Sequence, residues 1–166
     1  LIGPAGVGKS RLVRELSTHV EGLPQTFYWR AGRCMAYGNT SYSALADAVK
    51  AHCEVLEDDP ADVALEKTTR AVVELFSDDE RAPLLAALVT AADRVHSRES
   101  LFEAWRRFLE RMAARYPLVL VLEDIHWADD GLLDFIEHAA DWTQGPVLLL
   151  ALARPELLER RPTWGG

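Results

Sequence analysis

Gly3, Gly8, Lys9 and Ser10 stand at the spacing GxxxxGK[ST] within the segment GPAGVGKS. Chemistry of one kind needs these residue types in this order. A glycine-rich turn opening onto a helix presents backbone N–H groups and a partial positive charge, which together hold a polyphosphate. Lys9 has the reach for the β and γ phosphates, and the Ser10 hydroxyl suits a magnesium ion bridging them. Gly6 lets the backbone bend tightly and Gly8 lets it approach the ligand closely. Pro4, Ala5 and Val7 complete the turn and Arg11 follows it, so residues 3–11 form the candidate nucleotide-contacting stretch. Only Lys9, Lys50 and Lys67 are lysines among 18 basic residues, which sets Lys9 apart from an arginine-rich background.

A second group lies in LVLVLEDIHWAD, where Glu123 and Asp124 follow an unbroken apolar run. A carboxylate directly after a buried strand is costly unless a cation compensates it, and hydrated magnesium is such a cation. By register Glu123 suits the metal and its waters, and Asp124 suits the water that attacks the γ-phosphate; the two roles are open to exchange. Arg154 follows the last apolar run, in VLLLALAR. It either reads the γ-phosphate with its planar fork or pairs at the surface with Glu156. His126 and His138 have no partner at metal-ligand spacing and read as structural.

These residues need a scaffold that brings strand ends together. Leu1 and Ile2 read as the end of a strand, and Leu12, Val13, Leu16 and Val20 recur at helical spacing over Ser10 to Val20. Gln25 to Gly32 reads as a second strand, Ser43 to Cys53 as a helix, and Asp59 with Pro60 as the cap and first residue of a helix running to about Phe76. Ser77 and Glu80 have capping-box spacing for a further helix, blurred by Pro83. Ser97 caps the next, whose apolar face carries Leu101, Trp105, Phe108 and Met112. Leu118 to Leu122 and Val147 to Ala153 are apolar without alternation, as in strands covered on both faces, and Asp129 caps a helix between them running through Ala140. Strands alternating with helices predict an α/β parallel sheet between helical layers, with ligands outside the carboxyl ends of the strands.

Composition narrows the field. With 166 residues, 49% of them apolar, the chain can bury a core, and its net charge of −8 argues against sequence-independent nucleic-acid binding. Cys34 and Cys53 are too few for a disulfide framework and read as small buried hydrophobes, which suits a cytoplasmic protein. No apolar run is long enough to span a bilayer. The short first strand and the ending TWGG read as a piece of a longer protein, truncated at both ends, with residues 1–166 a partial single domain.

The stretches GPAGVGKSRLVREL, AGRCMAYGNTSYSALADAV, SRESLFEAWRRFLE, PLVLVLEDIHWADDGLLDF and LLLALARPELLERRP together resemble the AAA-type ATPase module of bacterial multidomain signalling proteins, similar to the signal-transducing STAND ATPases. The resemblance implies a three-layer P-loop NTPase core of the additional-strand type, with Val147 to Ala153 lying between the strands of the two motifs and Leu1–Ile2 beside it. An extended helical segment would separate the second strand from the Glu123 strand. It implies ATP and Mg2+ as cofactors, Lys9 and Ser10 as Walker A residues, Glu123 and Asp124 as Walker B, and Arg154 as first sensor. Lys9, Glu123 and Asp124 would then be catalytic, with Ser10, Glu123 and Asp124 on the metal. Its implied partners are a linked output domain, either a cyclase or a DNA-binding regulator, a repeat domain, and a nucleotide-dependent oligomer. The expected function is an ATP-hydrolysing switch. A nucleotide-binding switch with negligible turnover is the alternative, and a P-loop kinase or DNA-loading ATPase fits less well.

Overall fold

A computed structural model of the chain describes residues 1–37, 42–56, 58–76 and 97–165. In order they form α1 (Lys9–Glu21), β1 (Tyr28–Arg33), α2 (Ser43–His52), α3 (Ala61–Leu75), α4 (Arg98–Arg115), β2 (Leu118–Glu123), a 3-10 turn (Ile125–Trp127), α5 (Asp130–Trp142), β3 (Val147–Ala151) and α6 (Glu156–Arg160). The sheet is parallel in the order β1-β2-β3. Ile2 pairs in parallel with Ala153, just past β3. This is an α/β architecture compatible with a P-loop NTPase-like core. Among the described residues no helix is long and apolar enough to cross a membrane.

β2 is the spine. Leu118, Leu120 and Leu122 face the larger core under α2, α4 and α5, while Val119 and Val121 pack with Val13 of α1 and Leu152 on the other side. Successive side chains of a strand point to opposite faces, so an apolar run without alternation fits a strand covered on both. β3 departs from that expectation: Leu148 is exposed and its other residues are only partly buried. Regular pairing also stops at Ala151 rather than at Ala153.

Local chemistry sets most boundaries. Ser97 accepts from the Ser100 N–H at 3.2 Å and Asp129 from the Leu132 N–H at 2.8 Å, each capping its helix as expected. β1 begins at Tyr28, three residues later than expected, because its ladder starts where the Tyr28 N–H donates to the Pro117 carbonyl at the head of β2. Asp59 does not cap α3. Its carboxylate takes the Leu56 N–H at 2.8 Å and the Lys67 ammonium at 2.7 Å, and Pro60 becomes the cap position. The helix proposed from Ser77 and Glu80 lies outside the described residues.

α2 lies very close to β1. A Cβ added to Gly32 would sit 1.8 Å from the Ala44 carbonyl oxygen, so only glycine allows this approach. At its far end, His52 meets Tyr28 and Phe108 edge-on at 5.2 and 5.8 Å. Burial, and then the charges of Arg30 and Arg115, push the His52 imidazole down to about 4, outweighing the pull of Glu74. Below pH 6.5 the unfolded chain takes up a proton that the folded chain refuses until about pH 4. Stability present above pH 6.5 is therefore lost through that window, by up to about 3 kcal/mol. Urea unfolding of the full chain at pH 7 and pH 4.5 should show the loss, and His52→Gln should flatten it.

Candidate functional site

All three strands and the Ile2–Ala153 pair run the same way, so their carboxyl ends share one edge of the sheet. The glycine turn is stitched there by two backbone bonds, Gly3 N–H to the Ala153 carbonyl at 3.2 Å and Ala153 N–H to the Leu1 carbonyl at 2.9 Å. That stitch places the turn beside Arg154. The Ile125 N–H donates to the Leu152 carbonyl at 3.0 Å, which draws the residues after β2 to the same place.

Between these segments lies a cleft of about 270 Å³. Ala5, Gly6, Gly8, Lys9, Ser10 and Arg11 line one side. Glu123, Asp124, Leu152 and Arg154 line the other. Gly3, Pro4 and Val7 contribute differently. The Lys9 ammonium donates to the Gly3 and Pro4 carbonyls at 2.6 and 3.0 Å, closing the turn on itself, and Val7 stands exposed at its tip. Arg11 points largely to solvent and pairs with Glu15 at 3.8 Å.

The turn holds two glycines with positive φ, Gly6 at 78° and Gly8 at 102°, a region L side chains enter only with strain. Gly8 is the residue before α1, and no side chain caps that helix. The first N–H groups of a helix have no partners within it, so here they are left for water or an anion. The donor set therefore fits a polyphosphate. Ser10, Glu123 and Asp124 add hard oxygen donors on the facing walls. Among the described residues no cluster of three or more His, Cys, Asp or Glu could hold a metal ion alone. Magnesium held between phosphate oxygens, one or two carboxylates and water needs no such cluster.

Asp124 has φ 55°, a left-handed conformation that Asp accepts more readily than most residues, and it turns the chain out of β2 into the 3-10 turn. The Arg33 Nε donates to its Oδ2 at 2.8 Å and lies 3.9 Å from Glu123 Oε2. Arg33 went unnoticed in the sequence, where the strand seemed to end at Gly32. It is the last residue of β1, and parallel register sets it opposite Glu123. Arg154 forms no ion pair with Glu156 among the described residues and borders the cleft instead.

His126 is 5% exposed, and neither ring nitrogen has a hydrogen-bond partner among the described residues. Burial lowers its pKa, which favours the neutral ring. Its turn is held from α6: Arg160 Nη1 donates to the His126 and Ala128 carbonyls at 3.1 and 3.0 Å. Cys34 and Cys53 are buried and free, as expected, and burial raises their thiols to about 12 and about 11.

A family model described as AAA ATPase domain matches residues 1–150. The chain belongs to the AAA ATPase domain family. Members of this family are ATP-binding and ATP-hydrolysing modules, and the glycine turn, β2 with its acidic pair, and most of β3 all fall inside the matched span of this AAA ATPase domain. An uncharacterized protein of Rhizobium meliloti (strain 1021) is 32% identical over 170 residues, covering 92% of this chain and 16% of that protein. The AAA ATPase domain described here thus spans about one sixth of that relative's length. No solved structure matches.

Proposed function

We propose that this AAA ATPase domain binds Mg2+–ATP in the cleft between the glycine turn and the acidic pair, hydrolyses it, and uses the cycle to switch an attached output domain. The observation that carries this reading is the cleft itself. One hollow at the carboxyl edge of a parallel sheet joins an uncapped helix N-terminus, a lysine, a serine, two carboxylates and an arginine. The placement of β3 between β2 and the Leu1–Ile2 segment supports the additional-strand form of the P-loop core.

In this reading the backbone of residues 3–8 and the first turn of α1 cradle the phosphates. Lys9 leaves the Gly3 and Pro4 carbonyls for the β and γ oxygens. Ser10 and Glu123 would hold a magnesium ion, which would supply positive charge beside the phosphates. Asp124 accepts a hydrogen bond from the attacking water, and Arg154 senses whether a γ-phosphate is present. The implied signalling setting, a cis-linked output domain with a repeat domain and a nucleotide-dependent oligomer, belongs to the same proposal. Phosphate release from ATP by the full-length protein tests it: release should require Mg2+ and stop with EDTA. Release that is indifferent to the metal would count against the site.

Arg33 adds a consequence. Its guanidinium already sits on Asp124, so a divalent cation entering the cleft must compete with it. Arg33 is 62% exposed and Asp124 30%, so solvent screening limits the effect to about 1 kcal/mol. Arg33→Ala should lower the Mg2+ concentration for half-maximal ATP binding by about threefold. A titration of Mg2+ at fixed ATP measures this, and an unchanged midpoint would remove Arg33 from the site.

A further inference from the structure

A cavity larger than the cleft beside the glycine turn lies elsewhere. It holds about 610 Å³ at the opposite, amino-terminal edge of the sheet, between the start of β1 and the carboxyl-terminal ends of α2, α3 and α4. In a chain of net charge −8, five basic side chains border it against two acidic ones, Glu54 and Glu74. Several of the five are engaged. Lys67 is held by Asp59 at 2.7 Å, Arg115 lies 3.7 Å from Glu74, and Arg111 stacks over Phe76.

Arg30 and Arg70 differ. Neither has a carboxylate partner among the described residues. Arg30 is partly buried over the Tyr28 ring, with its guanidinium carbon 5.0 Å from the ring centroid. One terminal nitrogen donates to the Trp29 carbonyl at 2.9 Å, and the other approaches His52 Nδ1 at 3.4 Å. Arginine can only donate, so that imidazole nitrogen is the acceptor, which requires a neutral His52. The buried Nε has no partner. A cation drawn partly out of water with no counter-charge is costly, and a bound anion would relieve that cost.

We infer that this cavity is a binding site for a small organic phosphate, with Arg30 and Arg70 gripping the phosphate and Tyr28, Ala71 and Leu75 bordering the organic part. The volume is in the range of small-molecule sites, and inorganic phosphate alone would leave most of it empty. The guanidinium fork matches phosphate oxygens, and the apolar wall accounts for the rest of the ligand. The inference is independent of the nucleotide reading, since the two hollows lie at opposite edges of the sheet.

The test uses phenyl phosphate as probe and phenol as its uncharged control. Calorimetry is run on the full chain carrying Lys9→Ala, so that the glycine turn does not capture the probe. Phenyl phosphate should bind saturably at one site and phenol should not bind. Arg70→Ala or Arg30→Gln should weaken the probe by roughly tenfold, the loss of a charge-assisted contact. Arg70 is exposed on α3, so its variant decides the matter if Arg30→Gln is poorly folded. With Lys9 restored, Arg70→Ala should leave ATP affinity unchanged. Absence of saturable binding, or an affinity unchanged from the parent in both arginine variants, would overturn the site.

Discussion

Lys9→Ala lowers the ATP affinity of the full-length protein by about two orders of magnitude, the expected loss of two charge-assisted contacts to phosphate oxygens. Its effect on stability should be about 1 kcal/mol, because the Pro4 carbonyl that Lys9 now holds is exposed and the Gly3 carbonyl only part-buried, so water can replace much of the contact. Arg11→Ala is the natural companion. Its side chain is 83% exposed and paired only loosely with Glu15, so it should change affinity by less than about threefold. Fluorescent-nucleotide titration with a parallel thermal melt separates the two quantities. Full affinity in the Lys9 variant would remove the phosphate from the glycine turn.

Asp124→Asn should reduce phosphate release by about three orders of magnitude while ATP affinity stays within about threefold. An amide keeps the shape of the side chain but cannot accept a proton from the attacking water, and losses of that size are ordinary for such groups. Glu123→Gln should instead raise the Mg2+ requirement, as expected of a residue that holds the metal or its waters. The variant at 124 also loses the charge that binds Arg33, but that exposed pair contributes little to folding. Single-turnover phosphate release and equilibrium binding distinguish the outcomes. If release is unchanged, Asp124 takes no part in hydrolysis, and a nucleotide-holding switch with negligible turnover becomes the better description.

What could be read from the sequence was local. The glycine turn, the apolar run of β2 and the caps at Ser97 and Asp129 each depend on residues within a few positions of one another, and they appear where the sequence placed them. The harder features depend on partners far along the chain. β1 starts at Tyr28 because Pro117 meets it there, and Arg33 faces the acidic pair through register with a strand some ninety positions away. Asp59 looked like a cap, yet Lys67 and the Leu56 N–H claim its carboxylate once α3 has formed. The cavity at Arg30 was invisible for the same reason. Its charges come from β1, α3, α4 and the turn after α2, and no short stretch of sequence brings them together.

Arg160 has a mechanical implication. It sits six residues after Arg154, on the helix that follows β3, and clasps the two carbonyls of the turn that follows Asp124. The stretches leaving two neighbouring strands are therefore riveted together outside the sheet. A displacement at the end of β3 would be felt at the end of β2 through this strut.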